Sequence, residues 1–366
     1  MNFKNITVGE LPSFIKSEWY QNTPIMPITK ERAISQYYNP DADHNDIALI
    51  IALDKDNQLL GFIGILPGKI NYGKSSKKFF WNSCWWVHPD RGRQVSMPLF
   101  YKMLQITDNK LIFFDLTPRT HQIMQKLPYF VTQEKIGISA FLRCNSACIL
   151  PKKYGKFAKI KPILNTIDSA INILTCPYRK IVQFRLSKKP SFQFLFNDEI
   201  DGEIQKFIAP FIQQQAIPRG KRELNRIIRY AWISNSQKAK QESSHYPFSV
   251  YAFQFYNHII KIYSKEQLVG CLFITERDQY FKLPYCFFHP EHTTLIVKVL
   301  KKILLQRKAI HFVTWNPYIK ERLGKQKTPF LLLRPIKKQM GFPQIQGFEY
   351  LQHAFYQDGD GDAVFT

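Results

Sequence analysis

The 366-residue sequence has no uninterrupted apolar stretch near the roughly 18 residues that a membrane-spanning helix needs. Its first 20 residues also lack a basic segment followed by an apolar one, the pattern of a secretory signal peptide. Only six cysteines are present, and Cys144 and Cys148 are too isolated from His or other Cys residues to form a zinc site. We therefore expect a cytoplasmic protein with reduced cysteines and no metal.

Acidic residues are scarce: 28 Asp and Glu stand against 51 Lys and Arg, a net charge of +23. The excess is regional, since residues 1–150 hold 17 basic and 12 acidic residues, which leaves 34 and 16 for the rest. Residues 151–190 contain ten basic residues and one acid, Asp168. Such a segment fits tRNA or an anionic surface as partner, and it equally fits a solvated connector.

The length suits two domains, and a hydrophobic content of 45% is typical of globular proteins. We predict an α/β (α+β) fold of two domains, each a twisted mixed sheet flanked by helices. The predicted divisions are residues 1–150, a basic connector at 151–190, and residues 191–366.

Hydrophobic spacing and turn residues predict the element order of the first domain. Thr29 is a candidate N-cap for the first helix, and Pro40 ends that run. The predicted helices are 29–36, 95–104 and 118–127, and the predicted strands are 47–53, 59–66, 79–87, 111–116 and 138–150.

The second half repeats three markers of the first in the same order. The paired segments are Gln58–Phe62 with Gln267–Cys271, Trp86–Asp90 with Phe287–Glu291, and Leu111–Pro118 with Ala309–Pro317. The spacing also agrees, since 30 residues separate His88 from Pro118 and 28 separate His289 from Pro317. Agreement in order and spacing indicates an ancient duplication.

The segment Trp86–Ser96 is the most informative for chemistry. A strand ends there in a tight turn containing Gly92, and a helix follows at once. Free backbone N–H groups and the positive end of the helix dipole then point at one spot, which suits a pyrophosphate. Arg91 and Arg93 would add positive charge, and Ser96 a hydroxyl donor.

This segment resembles motif A of the GNAT N-acetyltransferases, in which a strand leads into Arg/Gln-x-x-Gly-x-Gly/Ala. Arg91 matches the first position, while Gln94 and Ser96 stand where the family usually has Gly and Gly/Ala. The predicted element order also resembles the GNAT fold. The resemblance implies an acetyl-CoA or other acyl-CoA site formed by Trp86, Val87, Arg91, Gly92, Arg93, Gln94, Val95, Ser96, Thr117 and Thr120.

A GNAT reaction needs a base for the acceptor amine and an N–H donor for the thioester carbonyl. The resemblance places that donor near Trp85 to Val87. The base candidates are Glu31, Asp115 and His88, although Glu31 also suits a first helical turn, Asp115 a helix cap, and His88 a turn. The tyrosine that protonates the leaving thiolate in the family falls on Met124 here.

The second half has no such loop, because His289–Thr294 contains neither Gly nor Arg. A tandem of two units in which one is degenerate resembles the arrangement in the Fem-like transferases and the N-myristoyltransferases. The resemblance implies transfer of an acyl group to a primary amine, such as an amino sugar or small metabolite. The alternative is a Fem-like aminoacyl-tRNA-dependent transferase, or an inactive GNAT protein that binds nucleic acid or an anionic surface through residues 151–190.

Two expectations concern aromatic residues and the chain end. Strand alternation places Trp81 and Trp85 on one face and Trp86 on the other. The tail Asp358–Thr366 lacks the closing Glu of a calcium loop, and its apolar end predicts an ordered tail folded back on the domain. By resemblance to N-myristoyltransferases, the carboxylate of Thr366 is a further candidate base.

Overall fold

The computed structural model describes residues 2–73, 75–188 and 192–365. They form two compact units, each discontinuous in the chain: unit 1 comprises 1–135, 199–255 and 338–366, and unit 2 comprises 136–198 and 256–337. This division differs from the contiguous one expected from the sequence. One reason is that β6, which begins within the first 150 residues, joins the sheet of unit 2. The other is that residues 199–255 and 338–366 belong to unit 1 although they follow the predicted boundary.

Unit 1 is built on a five-stranded sheet in the order β1-β2-β3-β4-β5. The first four strands pair antiparallel and β4 pairs parallel with β5. Its elements are β1 (Asn2–Thr7), α1 (Leu11–Phe14), α2 (Glu18–Asn22), α3 (Lys30–Tyr37), β2 (Ile47–Leu53), β3 (Leu59–Tyr72), β4 (Ser75–Val87), α4 (Ser96–Ile106), β5 (Leu111–Ile112) and α5 (Pro118–Met124), with β6 (Phe130–Phe141) starting in it.

The sequence explains the centre of this sheet. β2 reads Ile-Ala-Leu-Ile-Ile-Ala-Leu, and it is buried along almost its whole length because apolar clusters cover both faces of the sheet. The Thr29 side chain accepts a hydrogen bond from the Arg32 N–H, which confirms the predicted N-cap of α3. Three helices from later in the chain complete the unit: α9 (Gly202–Gln214), α10 (Lys221–Arg229) and α11 (Gln237–Glu242), numbered after those of unit 2.

Unit 2 has the same strand order over five strands, β7-β8-β9-β10-β11, with β10 parallel to β11. Two more strands, β6 and β12, extend the sheet beyond β11. The elements are α6 (Ser146–Lys153), α7 (Lys161–Leu174), α8 (Cys176–Ser187), β7 (Gln193–Asn197), β8 (Phe255–Ser264), β9 (Gln267–Arg277), β10 (Tyr280–Phe288), α12 (Thr293–Gln306), β11 (His311–Thr314), α13 (Pro317–Lys325) and β12 (Leu332–Pro343).

The prediction of β structure across 138–150 is wrong in its second half. β6 pairs antiparallel with β11 as far as Phe141, and the chain then turns into α6. The carboxylate of Asp168 accepts hydrogen bonds from the Ser146 hydroxyl (2.7 Å) and the Ala147 N–H (2.9 Å). A carboxylate at a helix N-terminus stabilises that helix, so a residue some 20 positions away overrides the local β propensity.

The basic segment 151–190 is mostly helical, since α7 and α8 occupy the larger part of it. Residues 189 and 190 lie outside the described part. Within the part of the chain that the structure covers, no helix has both the length and the apolar character required to cross a bilayer.

Candidate active site

A cleft opens in unit 1 where β4 and β5 separate. The two strands pair only at Phe80 with Leu111 and at Trp81 with Ile112, and the next residue, Phe113, bridges to Gly341 instead. The predicted strand at 111–116 is therefore cut short. The resulting cleft has a volume of about 350 Å³ and is lined by Asn82, Ser83, Cys84, Trp85, Val87, Ser96, Phe113, Phe114, Asp115, Leu116, Thr117, Arg119, Thr120, Ile123, Phe248 and Asp362.

A β-bulge at Ser83 shapes the floor of the cleft. Cys84 pairs with Gly64 and Asn82 with Ile65, so Ser83 is an extra residue in β4. The bulge shifts the alternation of side chains by one: Trp85 packs on the same core cluster as Phe80, and Trp86 on the other. The expectation that Trp81 and Trp85 share a face is wrong for this reason.

Two backbone amides of β4 point into the cleft. The His88 N–H donates to the Leu60 carbonyl of β3 (2.8 Å), so alternation directs the N–H groups of Val87 and Trp85 to the opposite edge of the strand. β5 has already ended there. These amides occupy the region where the sequence predicts the donor to a thioester carbonyl.

The turn after β4 is held by His88. Its Nδ1 accepts from the N–H groups of Asp90 and Arg91 (3.3 Å each), and its carbonyl accepts from Gly92 (2.8 Å). A Cβ on Gly92 would lie 2.4 Å from the His88 nitrogen and 2.5 Å from the Leu60 oxygen, so only glycine fits. His88 therefore has a turn role and does not line the cleft.

The predicted phosphate-binding side chains lie around the start of α4. Arg91 forms an exposed ion pair with Asp54 (3.3 Å), and Arg93 and Gln94 are exposed. Gln94 is exposed and is not among the residues lining the cleft. The Ser96 side chain does line the cleft, at the point where the 3₁₀ turn Arg93–Val95 leads into α4.

A polar network that spans distant parts of the sequence reaches the cleft floor. The buried Arg32 guanidinium donates to the hydroxyls of Ser83 and Tyr246 (2.7 Å for Tyr246) and stacks on the Trp232 ring at 3.9 Å. The Ser83 hydroxyl donates to the carboxylate of Asp362 at 3.1 Å. Asp362 thus lines the cleft with its position fixed by a bulge residue.

The Cys84 thiol lies buried beside this network. Burial raises its pKa, and the nearby Arg32 charge only partly offsets that effect. Thiolate, the reactive form, is therefore scarce at neutral pH.

The predicted site residues divide into two groups. Those that line the cleft are Val87, Ser96, Asp115, Thr117 and Thr120, whereas those outside its lining are Glu31, His88, Trp86, Arg91, Gly92, Arg93, Gln94 and Val95. Thr117 caps α5 by accepting from the Thr120 N–H (3.2 Å), and the two hydroxyls are 2.9 Å apart. Val95 is fully buried, and Trp86 stacks on Phe62.

Glu31 lies elsewhere in unit 1, close to Glu242. One carboxylate oxygen of each is buried and has no hydrogen-bond partner among the described residues. Burial, with the Glu31 charge, raises the pKa of Glu242.

Sequence reasoning missed Ser83, Arg32 and Asp362. For Asp362 the sequence does contain a signal, because the apolar residues at the end of the tail predict that the tail folds back on the domain. It does so: Val364 and Phe365 are buried, and Phe365 stacks on Trp232 at 4.4 Å. Thr366, the other candidate base, lies outside the described residues.

No family model and no curated protein matches this chain. Among solved structures it resembles GCN5-related N-acetyltransferases from Anabaena variabilis (TM-score 0.47, 9% identity, 93% of this chain and 72% of that one) and Kribbella flavida (0.47, 8%, 93% and 71%). A conserved protein of unknown function from Enterococcus faecalis is similar at TM-score 0.49 and 11% identity, over 93% and 71%. With TM-scores below 0.5, these likenesses leave the activity to be argued from the cleft itself.

Proposed function

We propose that unit 1 is an acyl-CoA-dependent N-acyltransferase that acylates a primary amine, such as an amino sugar or a small metabolite. The observation that carries the proposal is the separation of β4 from β5 after only two residue pairs, beside the start of α4. This separation gives an elongated acyl donor a slot with unpaired amides along one wall and a helix N-terminus at one end.

The lining of the cleft fits acyl-CoA. Trp85, Val87 and Phe113 offer apolar surface for a pantetheine arm, and the β4 edge offers N–H groups for its amides. The Ser96 hydroxyl and the N–H groups of Arg93 and Gln94, at the start of the 3₁₀ turn that leads into α4, would bind the pyrophosphate, with the exposed Arg93 side chain as a nearby cation.

Acyl transfer forms an amide bond to the amine, breaks the thioester C–S bond and releases the thiol. The N–H groups of Trp85 and Val87 would donate to the thioester carbonyl as negative charge develops on its oxygen. The Asp362 carboxylate would accept the proton that the amine loses, because it is the carboxylate held at the cleft floor by Ser83. Among the described residues that line the cleft there is no tyrosine. The departing thiolate would therefore be protonated by water or would receive the proton that the amine has lost.

The test is steady-state turnover of acetyl-CoA with a panel of amino sugars and small primary amines. Asp362→Asn is expected to lower kcat by roughly 100-fold or more, the usual contribution of a general base, with little effect on acetyl-CoA binding. Asp115→Asn is the matched control, since Asp115 is a second carboxylate residue that lines the cleft, and it is exposed to solvent. Equal losses in both variants would remove Asp362 from the base role.

A further inference from the structure

Unit 2 exposes a row of large apolar side chains on the helical hairpin α7–α8. Ile163 is 59% exposed, Leu174 78% and Phe184 61%. On α7, the spacing of Ile163, Ile167, Ala170 and Leu174 is i, i+4, i+7 and i+11, which places them on one face of the helix. Soluble proteins seldom expose a contiguous apolar strip of this kind unless it binds something.

The hairpin is anchored by its other side, so the exposure is a fixed property of the fold. Asn172 exchanges two hydrogen bonds of 2.9 Å with the backbone of Cys144. The buried Arg179 donates to the Thr175 hydroxyl (2.6 Å) and the Asn172 carbonyl (2.7 Å), and Asp168 caps α6. These polar contacts hold one side of the hairpin and leave its apolar row facing outward.

Positive charge surrounds this row. Among the described residues of 151–188, the acid Asp168 is buried in the contacts above, whereas eight basic side chains are exposed: Lys152, Lys153, Lys156, Lys159, Lys161, Lys180, Arg185 and Lys188. A neighbouring cleft of about 390 Å³ is lined by Arg143, Arg179, Lys180 and Lys308 and by no acid.

We propose that the α7–α8 hairpin binds the surface of an anionic lipid bilayer, lying in the plane of the headgroups with its apolar row inserted. Apolar side chains on one face with flanking lysines are the chemistry of interfacial helices. A second copy of the chain that bound through the same surface would bring its eight exposed basic side chains close to these eight, and like charges repel. Nucleic acid would satisfy the lysines but leave Ile163, Ile167 and Leu174 in water.

The experiment is co-sedimentation of the full chain with phosphatidylcholine vesicles that contain phosphatidylglycerol, beside pure phosphatidylcholine vesicles. The wild type is expected to bind the anionic vesicles and to bind the neutral ones at least tenfold more weakly. The variant Ile163→Gln/Ile167→Gln/Leu174→Gln keeps the charge and uses a good helix former, so it should stay folded but bind anionic vesicles about tenfold or more weakly. The variant Lys152→Gln/Lys153→Gln/Lys156→Gln/Lys159→Gln should bind the anionic vesicles more weakly, and its binding should depend much less on salt concentration than that of the wild type.

The matched control is Leu195→Gln/Phe196→Gln/Leu332→Gln, which removes three exposed apolar side chains of unit 2 that belong to β7 and β12 and not to the hairpin. It is expected to bind vesicles like the wild type. Equal weakening by both triple variants, or no binding to anionic vesicles, would overturn the proposal. It would also be overturned if sedimentation velocity showed a dimer that only the hairpin variant abolishes, or if tRNA bound tightly and vesicles did not.

Discussion

The ends of β4 and β10 show how two units with the same strand order differ in what they can hold. Both strands carry a bulge, at Ser83 in β4 and at Leu283–Pro284 in β10, and both pair in parallel with a short neighbour before the bulge. In unit 1 the last residues, Trp85–Val87, are partly exposed, and Trp85 and Val87 line the cleft. In unit 2 the corresponding residues Cys286–Phe288 are all buried.

One side-chain contact also differs between the two strand ends. Asn316 caps α13 through its Oδ1, and its Nδ2 donates to the Cys286 Sγ at 3.2 Å, which ties the helix to the end of β10. In the matching position of unit 1, Thr117 is shorter and bonds to Thr120.

The loops that follow these strands also differ. The unit 2 loop presents Glu291 near the start of its helix, where a phosphate would be repelled. The two strand ends thus differ in a cap residue and in a loop charge, and a shared strand order does not by itself imply a shared site.

The largest effect on this comparison should come from Gly92→Ala. The added Cβ would meet three backbone atoms within 2.7 Å, so the turn must move. We expect the free energy of unfolding to fall by about 3 kcal/mol, the upper range for overpacking. Urea titration followed by tryptophan fluorescence measures it, since five of the six tryptophans lie in unit 1.

The control is Gly155→Ala, whose Cβ would meet nothing within 4 Å. If both alanine variants unfold at the wild-type midpoint, the Gly92 turn is not the constraint that the geometry indicates.

A smaller effect concerns a buried lysine in each unit. Burial lowers the pKa of Lys338 to about 7, while Asp358, Asp115 and Asp360 partly oppose that shift. The unfolded chain then binds more protons than the folded one between about pH 7 and the ordinary lysine pKa, so stability must rise with pH in that window. Between pH 7 and 9 we expect this lysine to contribute a gain of about 2 kcal/mol in the free energy of unfolding, which Lys338→Met should remove.

Lys301 in unit 2 provides the comparison. Burial lowers its pKa to about 8, and its ammonium donates to the Gln326 carbonyl at 2.7 Å. Lys301→Met should therefore remove a smaller part of the pH dependence in the same urea titrations. A wild type with equal stability at pH 7 and 9 would contradict the charge assignment for both lysines.

The smallest effects should come from the two caps. Thr117→Ala and Asn316→Ala each remove an N-cap, which costs about 1 kcal/mol of stability. Only Thr117→Ala should also weaken acetyl-CoA binding, because Thr117 lines the cleft. Thermal unfolding and titration calorimetry on the same samples separate the two effects, and weaker binding in Asn316→Ala would refute the assignment of the site to unit 1.

Local patterns were enough to predict part of the lining of the unit 1 cleft. Val87, Ser96 and Thr117 follow from a strand, a turn and a helix that are adjacent in sequence, and β2 has its predicted bounds. The bulge at Ser83 was not predictable, because one extra residue in a ladder depends on the partner strand.

Contacts between distant parts of the chain were not predictable either. Asp362 reaches Ser83 across 279 positions, and Phe113 bridges to Gly341. No spacing rule along the chain connects such residues, so the polar floor of the cleft and the discontinuous units required the structure.

The most direct test of the central claim is titration calorimetry of acetyl-CoA against the wild type, Thr120→Trp and Glu321→Trp. Thr120→Trp fills the unit 1 cleft, whereas Glu321→Trp places the same ring on the exposed face of α13 in unit 2. We predict micromolar binding that Thr120→Trp weakens at least tenfold, about 1.4 kcal/mol, and that Glu321→Trp leaves unchanged. Absence of binding to the wild type, or equal binding by all three proteins, would contradict an acyl-CoA site between β4 and β5.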